Sequence, residues 1–139
     1  MLLLDSNVVS ELMRPRPDRR VLSWVGAQPL SEMAMATITV MEIRFGIALL
    51  PQGRRRTDLD TRCRQLLAQA FADRVLGFDQ RAADACAEIR VHRRHAGSAI
   101  SIEDAMIAAI ARVHGAGVAT RDMGGFEGCG LTLINPWQD

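Results

Sequence analysis

The sequence predicts an α/β fold: a central, mostly parallel sheet flanked by helices on both faces. Two observations carry this. Short apolar runs at Met1–Leu4, Met33–Ala36, Val75–Phe78, Gly117–Thr120 and Leu131–Ile134 alternate with stretches of helical spacing, the grammar of β-α units. The first run is continuously apolar and then stops at Asp5-Ser6-Asn7, as a strand buried on both faces of a parallel sheet does. The 139 residues, 48% of them apolar, suit one domain over residues 1–139.

Composition narrows the function classes. A net charge of +1 argues against a globally basic nucleic-acid binder, and every one of the 17 basic residues is Arg. A coding bias accounts for this as well as any preference for the bidentate geometry of guanidinium. Cys63, Cys86 and Cys129 have no metal-like spacing and read as reduced, buried thiols. No apolar run approaches the roughly 18–20 residues of a membrane span, and Met1–Leu4 is too short for a signal-peptide core. A cytoplasmic protein with no membrane association is expected.

After the first strand, Val8–Met13 is a short helical pattern broken by Arg14-Pro15-Arg16-Pro17. Asp18 is a plausible N-cap for a second helix with Val21, Leu22, Trp24 and Val25 on its apolar face, ended by Gly26 and Pro29. Thr37 or Thr39 caps the next helix, which runs to about Leu50. Its apolar positions Ile38, Met41, Phe45 and Leu49 follow helical spacing and are expected to face the core. Glu42 sits on or beside that stripe, where a carboxylate is costly unless paired. Its nearest candidate partner, Arg44, points about 200° away around the helix.

The run Arg54-Arg55-Arg56 opens a long amphipathic helix with Leu59, Cys63, Leu66, Leu67, Ala70 and Phe71 inward. Asp79 caps a helix reaching His95, with Ala82, Ala83, Cys86, Ile89 and His92 inward. His92 and His95 have a spacing that suits a metal, but the guanidiniums of Arg93 and Arg94 oppose a cation, which favours a solvated helix end. Ser101-x-x-Asp104 resembles a capping box and opens a buried Ala/Ile/Met helix over Ala105–His114. Asp104 reads both as part of that cap and as a carboxylate facing inward. Gly124-Gly125-Phe126 reads as a flexible loop.

Asp5 and Asp122 each follow a buried strand, so in a parallel sheet both emerge at the same edge, where ligand crevices form. Asp5 taken alone serves equally well as a helix cap. Glu42 and Asp104 lie early in helices that begin at that edge. Two unit charges about 4 Å apart repel by roughly 4 kcal/mol at an effective dielectric of about 20. A divalent cation relieves the repulsion, and all-oxygen ligation suits Mg²⁺ or Mn²⁺. Metal-assisted phosphodiester hydrolysis is the chemistry that follows. A phosphatase of the haloacid-dehalogenase type is disfavoured: Asp5-Ser6-Asn7 lacks the second Asp of a DxD pair, and the chain has no Lys.

The segments LLLDSNVVSELMRP, ITVMEIRFGIALLPQGRRR, ISIEDAMIAAIA, VATRDMGGFEG and LINPW resemble PIN-domain proteins of the VapC toxin type, with FitB-like members as the nearest subgroup. The resemblance spans essentially the whole chain, in order. It implies a PIN fold, a Mg²⁺- or Mn²⁺-dependent endoribonuclease acting on RNA, a homodimer, and inhibition by a cognate antitoxin. It places metal-binding acids at Asp5, Glu42, Asp104 and Asp122, with Asp122 either completing the pocket or forming a weaker second site. Asn7 and Thr120 fall on supporting or phosphate-positioning places. Arg44 and Arg121 are rim candidates for steering the RNA backbone. Ser6 stands where Thr is commoner. Asp122 fills an Asn-like place and Gly125 the usual Asp place. The competing expectation is a weakly catalytic or non-catalytic partner of an antitoxin, acting on operator DNA only through that complex.

Overall fold

The computed structural model describes residues 1–138. Its elements are β1 (Leu2–Leu4), α1 (Ser6–Leu12), α2 (Arg19–Ala27), β2 (Met33–Ala36), α3 (Thr37–Ala48), α4 (Arg54–Gln65), β3 (Val75–Leu76), α5 (Gln80–His95), α6 (Ile102–Val113), β4 (Gly117–Ala119), α7 (Met123–Phe126) and β5 (Leu133–Ile134). The sheet order is β3-β2-β1-β4-β5, and every pairing is parallel. The predicted α/β architecture is what forms.

Each strand feeds both faces, as the pleat requires. Leu3, Ala34, Ala36 and Val118 pack into a core shared with α5 and α6. Leu4, Met33, Met35 and Ala119 point the other way, into a core with Val8, Val9, Val21, Ile43, Ile47 and Cys63. β1 is the central strand, and Leu3 and Leu4 are fully buried. At Gly117 the chain passes so close to β5 that a Cβ would meet the Thr132 carbonyl oxygen at 2.7 Å. No helix among the described residues is long and apolar enough to cross a membrane.

The strand order puts the topological switch at β1 and β4: the chain moves outward through β2 and β3, then returns to the other side of β1 with β4 and β5. The crevice at such a switch lies beyond the strands' carboxyl ends. Leu4 is registered with Ala119, so Asp5 and Thr120 leave the sheet side by side.

Several expectations shift. On α3 the buried positions are Ile38, Thr39, Ile43 and Ile47, whereas Met41, Phe45 and Leu49 are 51%, 62% and 68% exposed. This helix is apolar nearly all round, so spacing alone does not choose which stripe turns inward. Neither threonine caps it: Ala36 is the N-cap residue and makes no side-chain cap bond. On α5 the inward positions are Ala82, Ala85, Cys86, Ile89 and Arg93; Ala83 and His92 face solvent. Leu22 on α2 is also exposed. The long helix narrows to α4 and then widens over Leu66–Ala70, where the Phe71 amide reaches back five residues to the Leu66 carbonyl. Gly124-Gly125-Phe126 is not loose: it forms α7, with the Asp122 carboxylate accepting from the Gly125 amide. The caps by Asp18, Asp79 and Ser101 form as expected, and all three cysteines are buried and free.

Candidate active site

Asp5 is the N-cap of α1 and the first carboxylate of the crevice at once. Its Oδ1 accepts from the Ser6 amide at 2.8 Å. Its Oδ2 accepts from the Thr120 hydroxyl at 2.8 Å and from Asn7 Nδ2 at 3.4 Å. Thr120, fully buried, also accepts from the Asp122 amide at 3.0 Å and from Asn7 Nδ2 at 3.3 Å. Asn7 Oδ1 in turn accepts from the Arg121 amide at 3.2 Å. The β1 and β4 ends are therefore tied together by one polar network running from Asp5 to Asp122.

Asp122 lies at the exposed mouth, and its Oδ1 accepts from the Gly125 amide at 3.1 Å. Gly125 marks the convergence of two acids. A Cβ there would stand 2.6 Å from Asp122 Oδ2 and 3.2 Å from Asp104 Oδ2. Asp104 is held in the first turn of α6, where its amide donates to the Ser101 hydroxyl at 3.1 Å. Glu42 is half-buried on α3, and its Oε1 is sealed from water with no hydrogen-bond partner; the fully buried Thr39 hydroxyl is likewise unpartnered.

The acids sense one another. Burial raises the Asp5 pKa against the lowering effect of the Thr120 and Ser6 hydrogen bonds, and the Asp122 charge adds to the rise. Burial, then the charges of Asp5, Asp104 and Glu103, push Glu42 up to about 7. Asp104 is raised by burial first, then by Asp5, Asp122 and Glu103, with the Ser101 hydroxyl opposing. Glu103 is an exposed neighbour that sequence reading passed over. Its sequential adjacency to Asp104 was the available signal.

Among the described residues no three acidic, His or Cys side chains are drawn together tightly enough to form a ready-made metal cage. The donor set nonetheless fits a hard divalent cation. It is all oxygen, it includes an orphaned buried carboxylate oxygen on Glu42, and the Asp5 charge helps raise the pKa of both Glu42 and Asp104. Mg²⁺ needs only one or two protein carboxylates and keeps several waters.

A groove of about 1070 Å³ opens beside the acids between α1, α3 and α4. Glu42 and Asn7 lie on it, with Arg14, Arg54, Arg55, Arg62 and Arg121. The Arg121 guanidinium lies 5.0 Å from the centre of the Trp137 ring, a cation–π distance. Arg44 does not join this rim; it lines a separate depression between α3 and α4 with Arg56 and Arg64.

A parallel sheet with acids converging at its switch point defines a class of α/β proteins with an acidic crevice, and the PIN domain family model matches residues 2–127. The chain belongs to the PIN-domain family. Within it, the chain falls with the VapC- and FitB-type proteins. It is 49% identical over 138 residues to the plasmid stability protein StbB of Pseudomonas syringae pv. tomato, covering 99% of each chain. It is 44% identical over 138 residues to VapC ribonuclease Y4jK of Sinorhizobium fredii, again covering 99% of each. Toxin FitB of Neisseria gonorrhoeae is 41% identical over the full length of both chains. The crystal structure of FitAcB from that organism superposes with a TM-score of 0.92, 41% identity and 99% coverage of both chains. FitAB bound to an IR36 DNA fragment gives a TM-score of 0.93 at 40% identity, covering 99% of this chain and 96% of that one.

Proposed function

We propose that this chain is the toxin of a toxin–antitoxin module and a Mg²⁺- or Mn²⁺-dependent endoribonuclease. The observation that carries the reading is the convergence of Asp5, Glu42, Asp104 and Asp122 at the β1–β4 switch. The names of the relatives, VapC ribonuclease and Toxin FitB, support the same reading.

Asp5, Glu42 and Asp104 are the residues that would hold the cation, with Asp122 closing the set at the mouth. When bound, the cation supplies Lewis-acid polarisation of a phosphoryl oxygen and acidifies a water for attack. The chain's own contribution is orientation. Thr120, Asn7 and the Ser6 amide fix both oxygens of Asp5, and the Gly125 amide fixes Asp122. Arg14, Arg54, Arg55 and Arg121 present guanidiniums along the groove to the phosphates on either side of the scissile bond. The exposed Met41, Phe45 and Leu49 of α3 form an apolar stripe for the homodimer.

The partner in this reading is a cognate antitoxin, as in the FitAB assembly, and operator DNA is reached only through that complex. The DNA-bound FitAB structure favours this as a second role beside catalysis. End-mapping of RNA fragments made by the purified chain tests the reaction. Hydrolysis by water leaves linear phosphate ends. Products ending in 2′,3′-cyclic phosphate, or no products in Mg²⁺ or Mn²⁺, contradict it.

A further inference from the structure

Arg93 occupies the inward position near the end of α5, and the residue is only 5% exposed. Among the described residues its hydrogen-bond partners are all neutral. Nε donates to the Ser98 carbonyl at 2.6 Å and Nη2 to the Ser98 hydroxyl at 3.2 Å. Nη1 reaches the Gly125 carbonyl at 3.0 Å, the Glu127 carbonyl at 2.9 Å and the Cys129 sulfur at 4.0 Å. A guanidinium cannot shed its proton to escape burial, and burying one is costly unless its donors are satisfied. An apolar side chain would fill the space without that cost, so the fork itself has work to do.

What it grips is the turn behind Asp122. α7 spans only Met123–Phe126, too short to hold itself together. Phe126 anchors one side of it in the α5–α6 core. Arg93 holds the Gly125 carbonyl, and the amide of that same Gly125 holds Asp122 Oδ1. Asp104 Oδ2 lies against the same glycine, 3.2 Å from where a Cβ would be. A second arginine, Arg112, also pins this segment, but further on, at the Cys129 carbonyl.

We propose that Arg93 is the positioning residue for Asp122: its guanidinium fixes the Gly125 peptide, and that peptide aims the fourth carboxylate at the crevice. Arg93 hydrogen-bonds none of the four carboxylates and acts only through the turn. The proposal rests on the metal-nuclease reading above, yet its primary readouts do not need RNA.

The test compares the full chain with Arg93→Lys, Asp122→Asn, the double variant and Arg112→Lys. Lys keeps the charge and the stem but is a point donor, unable to hold the Ser98 and Gly125 carbonyls together as Nε and Nη1 of the fork do. Solvent exchange of the Gly125 amide by NMR and calorimetric titration with Mn²⁺ alone are the readouts, with thermal unfolding as the stability control. In Arg93→Lys the Gly125 amide exchanges faster and Mn²⁺ affinity falls by about 10-fold, the range of lost outer-shell partners. Asp122→Asn lowers affinity no further in the Arg93→Lys background, because both changes remove one function. Arg112→Lys lowers the melting temperature but leaves Mn²⁺ affinity unchanged. The proposal is overturned if Arg93→Lys lowers the melting temperature while Gly125 exchange and Mn²⁺ affinity stay at their original values. It is also overturned if the effects of Arg93→Lys and Asp122→Asn on affinity multiply. A chain that shows the expected coupling but cleaves no RNA upholds the Arg93 clamp and overturns the nuclease reading instead.

Discussion

Thr120 donates its hydroxyl proton to Asp5 across 115 positions of sequence, at 2.8 Å. The bond exists because β1 and β4 are paired in parallel with Leu4 opposite Ala119, so the residues that follow each strand emerge together. A sheet register thereby becomes the orientation of a carboxylate.

Replacing Thr120 with Val keeps the shape and removes a buried hydroxyl that serves Asp5, Asn7 and the Asp122 amide. Leaving such groups unpaired costs about 1–3 kcal/mol of stability, measurable by urea unfolding. Mn²⁺ affinity falls by about 10-fold. Thr120→Ser, which keeps the hydroxyl, retains most of both.

Glu42 sets a pH dependence with a definite sign. Its folded pKa, about 7, lies above its ordinary value of 4.5. The stabilising neutral form is fully present below about 4.5 and is lost as pH rises through about 7. Asp5 and Asp104 are raised too and act in the same direction. The metal-free protein therefore loses stability between about pH 4.5 and 7. Glu42→Gln flattens part of that fall, as thermal melts across pH will register. Mn²⁺ affinity runs the other way, rising with pH, because binding must displace the protons.

Gly125→Ala puts a Cβ 2.6 Å from Asp122 Oδ2 and 3.2 Å from Asp104 Oδ2. Asp122 lies at the exposed mouth and can swing aside, so the expected loss of stability is within about 1 kcal/mol. RNA cleavage is expected to drop at least about 10-fold, since the acid that moves belongs to the proposed carboxylate set. Paired melting and cleavage assays on the same preparation check this.

Phe45→Asp alters a side chain that is 62% exposed. It is expected to leave the fold intact and shift the proposed homodimer to monomer, read by light scattering across a dilution series. A dimer unchanged by Phe45→Asp places the interface elsewhere.

The five strands, their parallel pairing and the edge where Asp5 and Asp122 emerge were legible because each strand is a short apolar run ended by polar residues. The phase of α3 was not. Ile38, Met41, Ile43, Phe45, Ile47 and Leu49 offer two apolar stripes, and only the sheet they meet selects one. Glu42 borders the chosen stripe, so it still lies close enough to Asp5 and Asp104 for their charges to act on it. Arg93 was hidden because a guanidinium between two histidines reads as a solvated helix end. Its burial depends on carbonyls some 30 residues away, at Gly125 and Glu127. The order in α7 was hidden for a related reason: Gly124-Gly125 has little helical propensity, and a side-chain cap plus tertiary anchors supply what propensity lacks.

The most direct measurement is the initial rate of RNA cleavage in Mg²⁺ by the purified chain and by Asp5→Asn, with matched folding confirmed by circular dichroism. Asp5→Asn leaves one oxygen to accept from the Ser6 amide and keep the cap on α1, but removes the charge that would face the cation. Cleavage is expected to stop on chelation, and the rate in Asp5→Asn to be lower by about 100-fold or more. Full metal-dependent cleavage by a folded Asp5→Asn chain would contradict it.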